Sequence, residues 1–429
     1  GVHYTTTYAP TLKMASLRIV LNFIAKRGWI MKQGDVKTAF QIPALPEHEM
    51  VYVNPPPGYS FKNKSMTHLK LLKCLYGLKQ ASYRWNQTIH KILKDMAFTR
   101  SNADDCVYIK RDLAGDVVAI ILLYVDDSVI AAPTEKKANE IFNQLAKVLP
   151  MTDLGNVSWL LGVKIEYNQA TRTIRLSQKA YAQQIVKRFN LDSAKPISTP
   201  VDTNRKFIPS QEPLSREETR EMENVPYRPL VGALMYLATT TRPDLAFAVG
   251  LLSRSSANPR PQHWEAAKRV LRYVGSTASL GLTYSGNTFA LEGYADSDWA
   301  GDLDKRKSTS GFVFKTRGAA VLWRSKRQKS VAMSTAEAEI VALCLAIREA
   351  LWAQKLFRDL TGRKDLPTLI FEDNAACIAN VKKNRESRML KHMDIAFNFA
   401  KEEFARGRIR VEKIESKRNT ADVMTKSLG

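Results

Sequence analysis

Two adjacent aspartates, Asp126 and Asp127, interrupt the apolar segment AIILLYVDDSVIAAP at residues 119–133. The apolar runs on either side predict two strands, covered on both faces and joined by a tight hairpin turn. Like charges at a buried turn repel each other, and a carboxylate removed from water costs several kcal/mol. A divalent cation offsets both costs, because Mg²⁺ prefers hard oxygen ligands. The residues alone leave two interpretations open, a metal site and an acidic surface turn.

A third carboxylate, Asp35, ends the segment WIMKQGDV, which follows the helical pattern TLKMASLRIVLNFIAKRG and its stop at Gly28. We predict that this segment is a strand that delivers Asp35 to the hairpin. Together with Asp126 and Asp127, it could form a cage for two Mg²⁺ ions about 4 Å apart. A lone aspartate at a strand end is also a common turn or cap residue, so the rest of the chain must decide.

A second acidic set lies in the C-terminal third of the chain. LEGYADSDWAG predicts a strand carrying Asp296, and STAEAEIVALCLAIREALWAQKL predicts a long amphipathic helix carrying Glu339, with Ser334 and Glu337 as a capping box. TLIFEDNAACIANV predicts a strand that ends at Asp373 and is followed by a helix.

NTADVMTKSL places Asp422 near the start of a predicted terminal helix. Taken singly, this residue or Glu339 is readily explained as a carboxylate that interacts with a helix dipole. Four carboxylates in strand, helix, strand and helix order favour a metal site instead.

Composition and charge restrict the class of protein. The chain has 429 residues, of which 45% are hydrophobic and 25% charged, so we expect two to four globular domains. The net charge is +23, with 38 basic and 23 acidic side chains in residues 1–285 and 27 and 19 in residues 286–429. This spread predicts a long surface that follows a phosphate backbone. A generally basic soluble protein is the alternative.

Targeting and redox signals are few. The longest apolar runs are too short to span a bilayer, and the GVHY start carries no secretory signal and no initiator methionine, which suggests a fragment or a processed product. The four scattered cysteines predict reduced thiols and no zinc site. We therefore expect a cytoplasmic protein without membrane contact, with the nucleus as the alternative compartment.

Several motifs in a fixed order resemble the polymerase of copia-type long-terminal-repeat retrotransposons. The motifs are DVKTAF at residues 35–40, CLYGLKQASYRW at 74–85, YVDD at 124–127, WLLGVKI at 159–165, YRPLVGALMYLATTTRPDLAFAV at 227–249 and ADSDWAG at 295–301. The resemblance covers essentially the whole chain. It implies a virus-like particle in the cytoplasm as the setting.

The resemblance implies a multidomain fold of α/β and α+β type. A right-hand reverse transcriptase with palm, partial fingers and thumb is expected at residues 1–192, and a Pro-, Ser- and charge-rich linker at 193–226. A connection segment is expected at 227–279 and a ribonuclease H-like α/β domain at 280–429, which we expect to fold independently.

The resemblance also implies roles for residues in the polymerase region. Asp35 and Asp126 are expected to ligate metal, with Asp127 as a third catalytic carboxylate. Phe40 is expected to lie under the nucleotide sugar and to exclude a 2′-hydroxyl. The expected nucleotide- and template-binding residues are Tyr76, Gly77, Lys79 and Gln80. The segment Trp159–Gly162 matches the primer grip, with Leu161 and Gly162 at its end.

In the C-terminal region, the metal ligands and catalytic residues implied by the resemblance are Asp296, Glu339, Asp373 and Asp422. The expected cofactor is Mg²⁺, or Mn²⁺, with two ions at each active site. The segment WRSKRQKS at residues 323–330 suits a grip on a nucleic-acid backbone, with a solvated basic turn as the alternative. His392 occupies a family position and is otherwise a helix-surface histidine.

We therefore predict an RNA-directed DNA polymerase with ribonuclease H activity. Its expected partners are an RNA template, a DNA primer, an RNA–DNA hybrid and deoxynucleoside triphosphates. The alternative is an N-terminally truncated retroelement relic that binds nucleic acid without polymerising. Two departures from the family pattern favour the relic: the family's fingers are expected to begin upstream of this sequence, and Gln41, Ile42 and Pro43 replace Leu-Asn-Gly. Ser82 also replaces a proline that is usual in the family.

Overall fold

A computed structural model of the chain describes residues 6–61, 66–202, 213–285, 289–302, 304–363, 367–382 and 391–427, with only the backbone described at 391–394. The helices are α1 (Met14–Arg27), α2 (Ala81–Asp95), α3 (Glu135–Ala146), α4 (Lys179–Arg188), α5 (Arg216–Met222), α6 (Tyr227–Thr240), α7 (Ala246–Ser253), α8 (Pro261–Ser276), α9 (Thr335–Thr361), α10 (Ala375–Lys382) and α11 (Lys391–Ala405). The strands are β1 (Ile30–Val36), β2 (Tyr52–Val53), β3 (Leu69–Lys70), β4 (Phe98–Arg100), β5 (Val107–Arg111), β6 (Val117–Tyr124), β7 (Asp127–Ala132), β8 (Met151–Asn156), β9 (Trp159–Leu160), β10 (Val163–Asn168), β11 (Thr173–Ser177), β12 (Gly281–Tyr284), β13 (Glu292–Ser297), β14 (Thr309–Thr316), β15 (Ala319–Arg327), β16 (Thr368–Glu372) and β17 (Ile409–Lys413).

The chain forms two compact units. The first contains residues 1–17, 28–157 and 359–362, and the second contains residues 18–27, 158–358 and 363–429. The predicted domain boundaries stay predictions. Among the described residues, no helix combines the length and the apolar character needed to cross a bilayer. The four cysteines are free and buried.

The first unit is built on a six-stranded sheet in the order β4-β5-β6-β7-β1-β8, whose pairs are all antiparallel. Helices α2 and α3 pack on one face, where Trp85 and Phe142 meet Ile121 of β6 and Ile130 of β7. Ile120, on the opposite face of β6, is also fully buried. The prediction of a strand covered on both faces is therefore confirmed. A small β2–β3 ribbon completes this unit.

The second unit contains a four-stranded sheet in the order β12-β11-β10-β9 and a cluster of helices. Helices α4, α6, α7 and α8 share an apolar core that includes Ile185, Leu234 and Leu271. The segment before α5 packs against α8, since Arg269 donates to Thr199 Oγ1 at 2.9 Å.

A five-stranded sheet in the order β15-β14-β13-β16-β17 forms the rest of the second unit. The first three strands pair antiparallel, whereas β16 runs parallel to β13, and β17 runs parallel to β16. Helices α9, α10 and α11 follow the strands as a parallel connection requires. The predicted combination of α/β and α+β architecture is confirmed.

Helix α1 contributes a buried cation to the second unit. The Arg18 guanidinium donates to the carbonyl oxygens of Val321 at 2.8 Å, Thr240 at 2.8 Å and Thr239 at 3.0 Å. Its central carbon lies 3.9 Å from the ring centroid of Trp323. Burial lowers the pKa of Arg18 to about 10, so the side chain stays charged at neutral pH.

Two local predictions were wrong in detail. Asp422 lies in a short 3-10 turn, Asp422–Met424, and not near the start of a terminal helix. The N-terminus of α9 has half of the predicted capping box: Ser334 Oγ accepts from the Glu337 amide at 3.2 Å, but the Glu337 carboxylate accepts from the Met333 amide at 2.6 Å. The side chain reaches one residue further back than a capping box requires.

Candidate active sites

The first acidic group lies where β1 and β7 meet. Asp35 and Asp127 are directly paired across the two strands, and Asp126 occupies the preceding hairpin turn. The Val36 amide donates to the Asp126 carbonyl oxygen at 3.1 Å, which holds the turn beside β1. All three carboxylates are half-buried. Burial, followed by the charges of Asp126 and Asp35, raises the pKa of Asp127.

The hairpin turn has a strained backbone. Val125 has a φ of 57°, a left-handed conformation that is rare for a β-branched residue and costs of the order of 1–3 kcal/mol. The indole Nε1 of Trp85 donates to the Val125 carbonyl oxygen at 2.6 Å. Trp85 is itself fixed in the core on α2. The core of the first unit therefore stabilises the conformation that presents Asp126.

The predicted nucleotide-binding residues are partly brought together. The ring centroids of Phe40 and Tyr76 lie 5.1 Å apart, with Tyr76 exposed. Gly77 has a φ of 97°, a conformation that suits glycine. Lys79 is exposed, whereas Gln80 is buried at the start of α2.

The predicted primer grip lies in the turn between β9 and β10. Leu161 and Gly162 have φ values of 51° and 71°. The Tyr236 hydroxyl donates to the Leu161 carbonyl oxygen, and a Cβ at residue 162 would lie 2.6 Å from that hydroxyl oxygen. Tyr181 packs edge-on against Tyr236 at 4.9 Å. A side chain at residue 162 would therefore displace the tyrosine that holds the turn.

The second acidic group converges more closely. Asp296 near the end of β13, Glu339 in the second turn of α9 and Asp373 directly after β16 each offer a carboxylate oxygen, and these oxygens lie within 4.8 Å of one another. Within the part of the chain that the structure describes, no other three acidic, histidine or cysteine side chains meet this criterion. Asp35, Asp126 and Asp127 therefore do not form an equally tight cluster.

Burial dominates the electrostatics of this second group. It raises the pKa of Asp296 to about 6, although the Thr425 hydroxyl and Lys426 oppose the shift. Burial, followed by the charges of Glu372, Asp296 and Asp373, raises the pKa of Glu339 to about 10. A divalent cation at this site would offset the repulsion between the ionised carboxylates.

Asp422 lies beside this group rather than within it. Its Oδ2 forms an ion pair with Lys426 Nζ at 2.9 Å, and its Oδ1 is buried without a hydrogen-bond partner. The structure thus brings together three of the four predicted ligands. Their catalytic roles stay predictions.

The close approach of the C-terminal segment depends on Gly311. This glycine pairs with Asp296 across β13 and β14. A Cβ at residue 311 would lie 2.5 Å from Met424 Cβ and 2.7 Å from Thr425 Cγ2. With hydrogen in that place, the segment reaches Asp296, and the Thr425 hydroxyl donates to Asp296 Oδ2.

Sequence reasoning missed Glu372, Thr425 and Lys426. Glu372 is fully buried, burial raises its pKa, and its Oε1 accepts from the Asn374 amide at 3.1 Å. Glu372 and Asp373 are adjacent acids at the end of an apolar strand, which is the pattern that identified Asp126 and Asp127. Thr425 and Lys426 gave no comparable signal, because their proximity depends on a long-range contact.

His392 and the segment at residues 323–330 are the two other predicted substrate contacts. The side chain of His392 lies outside the described residues. In the segment at residues 323–330, Trp323 is half-buried: it carries Arg18 on its ring, and its indole donates to the Ala238 carbonyl oxygen at 2.7 Å. The nucleic-acid contact of this segment stays a prediction. Arg324 and Lys326 are exposed and remain accessible to solvent.

The second acidic group fits a divalent metal. Carboxylate oxygens are the ligands that Mg²⁺ and Mn²⁺ prefer. Glu339 Oε2, Glu372 Oε2 and Asp422 Oδ1 are buried and have no hydrogen-bond partner among the described residues. Buried acceptors without a donor are costly unless a cation or a proton satisfies them.

Comparison with known proteins defines the class. A family model described as "Reverse transcriptase (RNA-dependent DNA polymerase)" matches residues 1–203. The chain is 36% identical over 426 residues to the retrovirus-related Pol polyprotein from transposon TNT 1-94 of Nicotiana tabacum, covering 99% of this chain and 32% of the relative. It is 34% identical over 317 residues to a putative transposon Ty5-1 protein of Saccharomyces cerevisiae, covering 73% of this chain and 99% of that protein.

The fold and these matches define the class as reverse transcriptases of retroelements. Within it, the chain belongs to the family of copia-like transposon Pol proteins. The chain spans about a third of the length of the Pol polyproteins that it matches. Among solved structures, a foamy viral protease-reverse transcriptase in complex with an RNA/DNA hybrid aligns with a TM-score of 0.49 and 11% identity, covering 92% of this chain and 45% of that one.

Proposed function

We propose that the chain is an RNA-directed DNA polymerase that also hydrolyses RNA in RNA–DNA hybrids. The observation that carries the hydrolytic part is the convergence of Asp296, Glu339 and Asp373 within 4.8 Å. The polymerase part is supported by family membership and by the direct pairing of Asp35 with Asp127 beside the Asp126 turn.

In the hydrolytic centre, Asp296, Glu339 and Asp373 would hold the metal, with Asp422 beside them. In the polymerase centre, Asp35 and Asp126 would be the ligands, and Asp127 would add a neighbouring negative charge. When bound, divalent cations activate the attacking oxygen and offset the charge on the leaving oxygen in both reactions. Glu339 Oε2 and Asp422 Oδ1 accept no hydrogen bond from the described residues, so no donor competes with a metal for these two oxygens.

The other residues of each centre position these ligands. Thr425 fixes the Oδ2 oxygen of Asp296, and Lys426 holds Asp422 through its ion pair. In the polymerase centre, Trp85 holds the turn that carries Asp126. Phe40, against Tyr76, is the residue that selects a deoxyribose sugar.

The proposed substrates follow from charge and from the reaction. An RNA template, a DNA primer and their hybrid carry the phosphates that a chain with a net charge of +23 attracts. Deoxynucleoside triphosphates are the proposed small-molecule substrates, and Mg²⁺ or Mn²⁺ is the proposed cofactor.

Cleavage by the full chain tests the proposal. An RNA–DNA hybrid with labelled RNA is incubated at low salt in Mg²⁺ with the parent chain, with Asp373→Asn and with Glu412→Gln. Glu412 is an exposed acid on β17 of the same sheet and serves as the matched control. We expect the parent and Glu412→Gln to cut.

Asp373→Asn should bind the hybrid at least as tightly as the parent, since it keeps the basic surface, but should not cut it. If the parent binds the hybrid and cuts nothing, the chain is a nucleic-acid-binding relic and the enzymatic proposal is wrong.

A further inference from the structure

Three apolar side chains are exposed together at one end of the second unit. Trp299 is 53% exposed, Val331 43% and Met333 70%. The Trp299 indole Nε1 donates to the carbonyl oxygen of Ala332 at 3.2 Å, and Ala332 lies between Val331 and Met333 in the sequence. Trp299, Val331 and Met333 therefore form one surface, which we call the apolar platform. Single exposed apolar residues are ordinary, but a contiguous group marks a binding surface.

The loops beneath the apolar platform are fixed by hydrogen bonds. The Ala300 amide donates to Ser308 Oγ at 3.0 Å, and the Gln328 amide donates to the Ser308 carbonyl oxygen at 2.7 Å. Asp302 and Arg327 form an ion pair across the same two loops, at 2.5 Å. A surface held in this way loses little conformational entropy when it binds a partner.

The apolar platform borders the second acidic group. Trp299 follows Asp296 by three residues, a separation that spans at most about 11 Å. On the other side, the Met333 amide donates to Glu337 in the first turn of α9, the helix that carries Glu339.

The charges around the apolar platform indicate what it binds. The two segments at residues 298–307 and 324–333, the second of which begins in β15, contain seven basic and three acidic side chains. Lys305, Arg306 and Lys329 are exposed, whereas Asp302 is buried in its ion pair with Arg327. An exposed aromatic ring surrounded by cations suits a nucleic-acid duplex, which offers the apolar faces of its sugars between phosphates.

We propose that the apolar platform packs against the sugars along the shallow minor groove of the bound RNA–DNA hybrid, next to the scissile phosphate, and that it sets the position of the cut. This inference rests on the proposed hydrolysis of hybrids. Trp299 is a positioning residue: it holds the strand in register while the acidic group carries the chemistry.

The experiment compares four variants of the full chain with the parent: Trp299→Ala/Met333→Ala, Met333→Ala alone, Trp299→Phe and Leu280→Ala. Leu280 is an exposed apolar residue of the same unit and is the matched control. Binding of an RNA–DNA hybrid is measured without Mg²⁺ at several salt concentrations, and the cut positions are then mapped in Mg²⁺ on end-labelled RNA.

We expect the double variant to bind about tenfold more weakly, as the loss of about 55 Å² of buried apolar contact predicts. The slope of log affinity against log salt should not change, because no charge is removed. Its cuts should spread over neighbouring phosphates. Trp299→Phe should keep most of the affinity and the parental pattern, because it keeps a ring, and Leu280→Ala should match the parent.

The outcomes separate this inference from the proposed function. A parent chain that neither binds nor cuts the hybrid overturns both. A parent that cuts, with a double variant equal to Leu280→Ala in affinity and cut positions, overturns the inference alone. A double variant that changes only self-association in sedimentation also overturns it, because the apolar platform then contacts protein. If circular dichroism shows that the double variant is unfolded, the affinity and cut positions of Met333→Ala are compared with those of Leu280→Ala instead.

Discussion

The Thr425 hydroxyl donates a hydrogen bond to Oδ2 of Asp296, so the last described turn of the chain fixes a carboxylate on β13, the central strand of its sheet. This bond lowers the pKa of Asp296, against the larger effect of burial, which raises the pKa to about 6. A residue 129 positions away in sequence thus lowers the pH at which Asp296 loses its proton and can act as a metal ligand.

Replacing Thr425 should therefore move the pH dependence of hybrid cleavage. In Thr425→Val the hydrogen bond is lost and the pKa of Asp296 rises further, so the acidic limb of the pH–rate profile should move up by about one pH unit, the equivalent of about 1.4 kcal/mol. Thr425→Ser keeps the donor and should retain the parental profile. A Thr425→Val profile that coincides with that of the parent would contradict this role for the hydroxyl.

Metal binding should stabilise the protein more at high pH than at low pH. The pKa values of Asp296 and Glu339 are raised in the fold, to about 6 and about 10. Their contribution to stability is therefore fully present below their unfolded values of about 4, and is lost as the pH rises through the folded values. Mg²⁺ needs deprotonated ligands and removes the repulsion.

In thermal unfolding, the metal-free chain should lose stability between pH 5.5 and pH 8. Mg²⁺ at ten times its dissociation constant should restore about 1.4 kcal/mol at pH 8, a shift of about 2–4 °C. Glu339→Gln, which lacks the ionisable group, should show a smaller pH dependence and a smaller Mg²⁺ shift. Equal Mg²⁺ shifts for the parent at both pH values would argue against a metal site here.

Primer extension, if the chain catalyses it, should depend on Asp126. Asp126→Asn keeps the shape of the turn but removes a ligand charge, so extension of a DNA primer on an RNA template should fall by orders of magnitude. Asp105→Asn, at an exposed position of the same unit, is the control and should extend normally. A fully active Asp126→Asn variant would show that the hairpin is not the polymerase centre.

The contact between Phe40 and Tyr76 predicts a change in sugar selection. Phe40→Ala removes the ring that is proposed to exclude a 2′-hydroxyl, so discrimination between deoxynucleotides and ribonucleotides should fall by about tenfold or more. Single-nucleotide incorporation with each substrate measures the ratio. Tyr59→Ala, another exposed aromatic of the first unit, should leave it unchanged. Unaltered discrimination in Phe40→Ala would place the sugar elsewhere.

Much of the fold could be predicted because its signals are local. The apolar runs around Asp126 and Asp127, and the periodicity of α9, depend on neighbouring residues, and both elements lie where they were expected. The terminal turn at Asp422 could not be predicted. Its shape follows from contact with Gly311, more than 100 residues earlier, and the local pattern favoured a longer helix.

Two tryptophans also show that a long-range contact cannot be predicted from the local sequence. In the sequence, Trp323 is followed by Arg324, Lys326 and Arg327, whereas Trp299 lies between Asp298 and Asp302. In the structure, Trp323 lies against Arg18 from α1, whereas Trp299 is exposed beside the second acidic group. The sequence left a nucleic-acid grip and a solvated basic turn open for the segment that contains Trp323, because the distant arginine against its ring gives no local signal.

The buried Arg18 also has a consequence for synthesis of the protein. Its partner Val321 lies 303 residues later, and the ribosome adds about 5–20 residues per second. About 15–60 s therefore pass between the synthesis of α1 and the synthesis of β15, whose Val321 carbonyl oxygen accepts from Arg18. A nascent chain stalled before β15 should leave this helix open to protease or to a chaperone, and a fragment starting at residue 280 should lack the cation that its Trp323 and Val321 require.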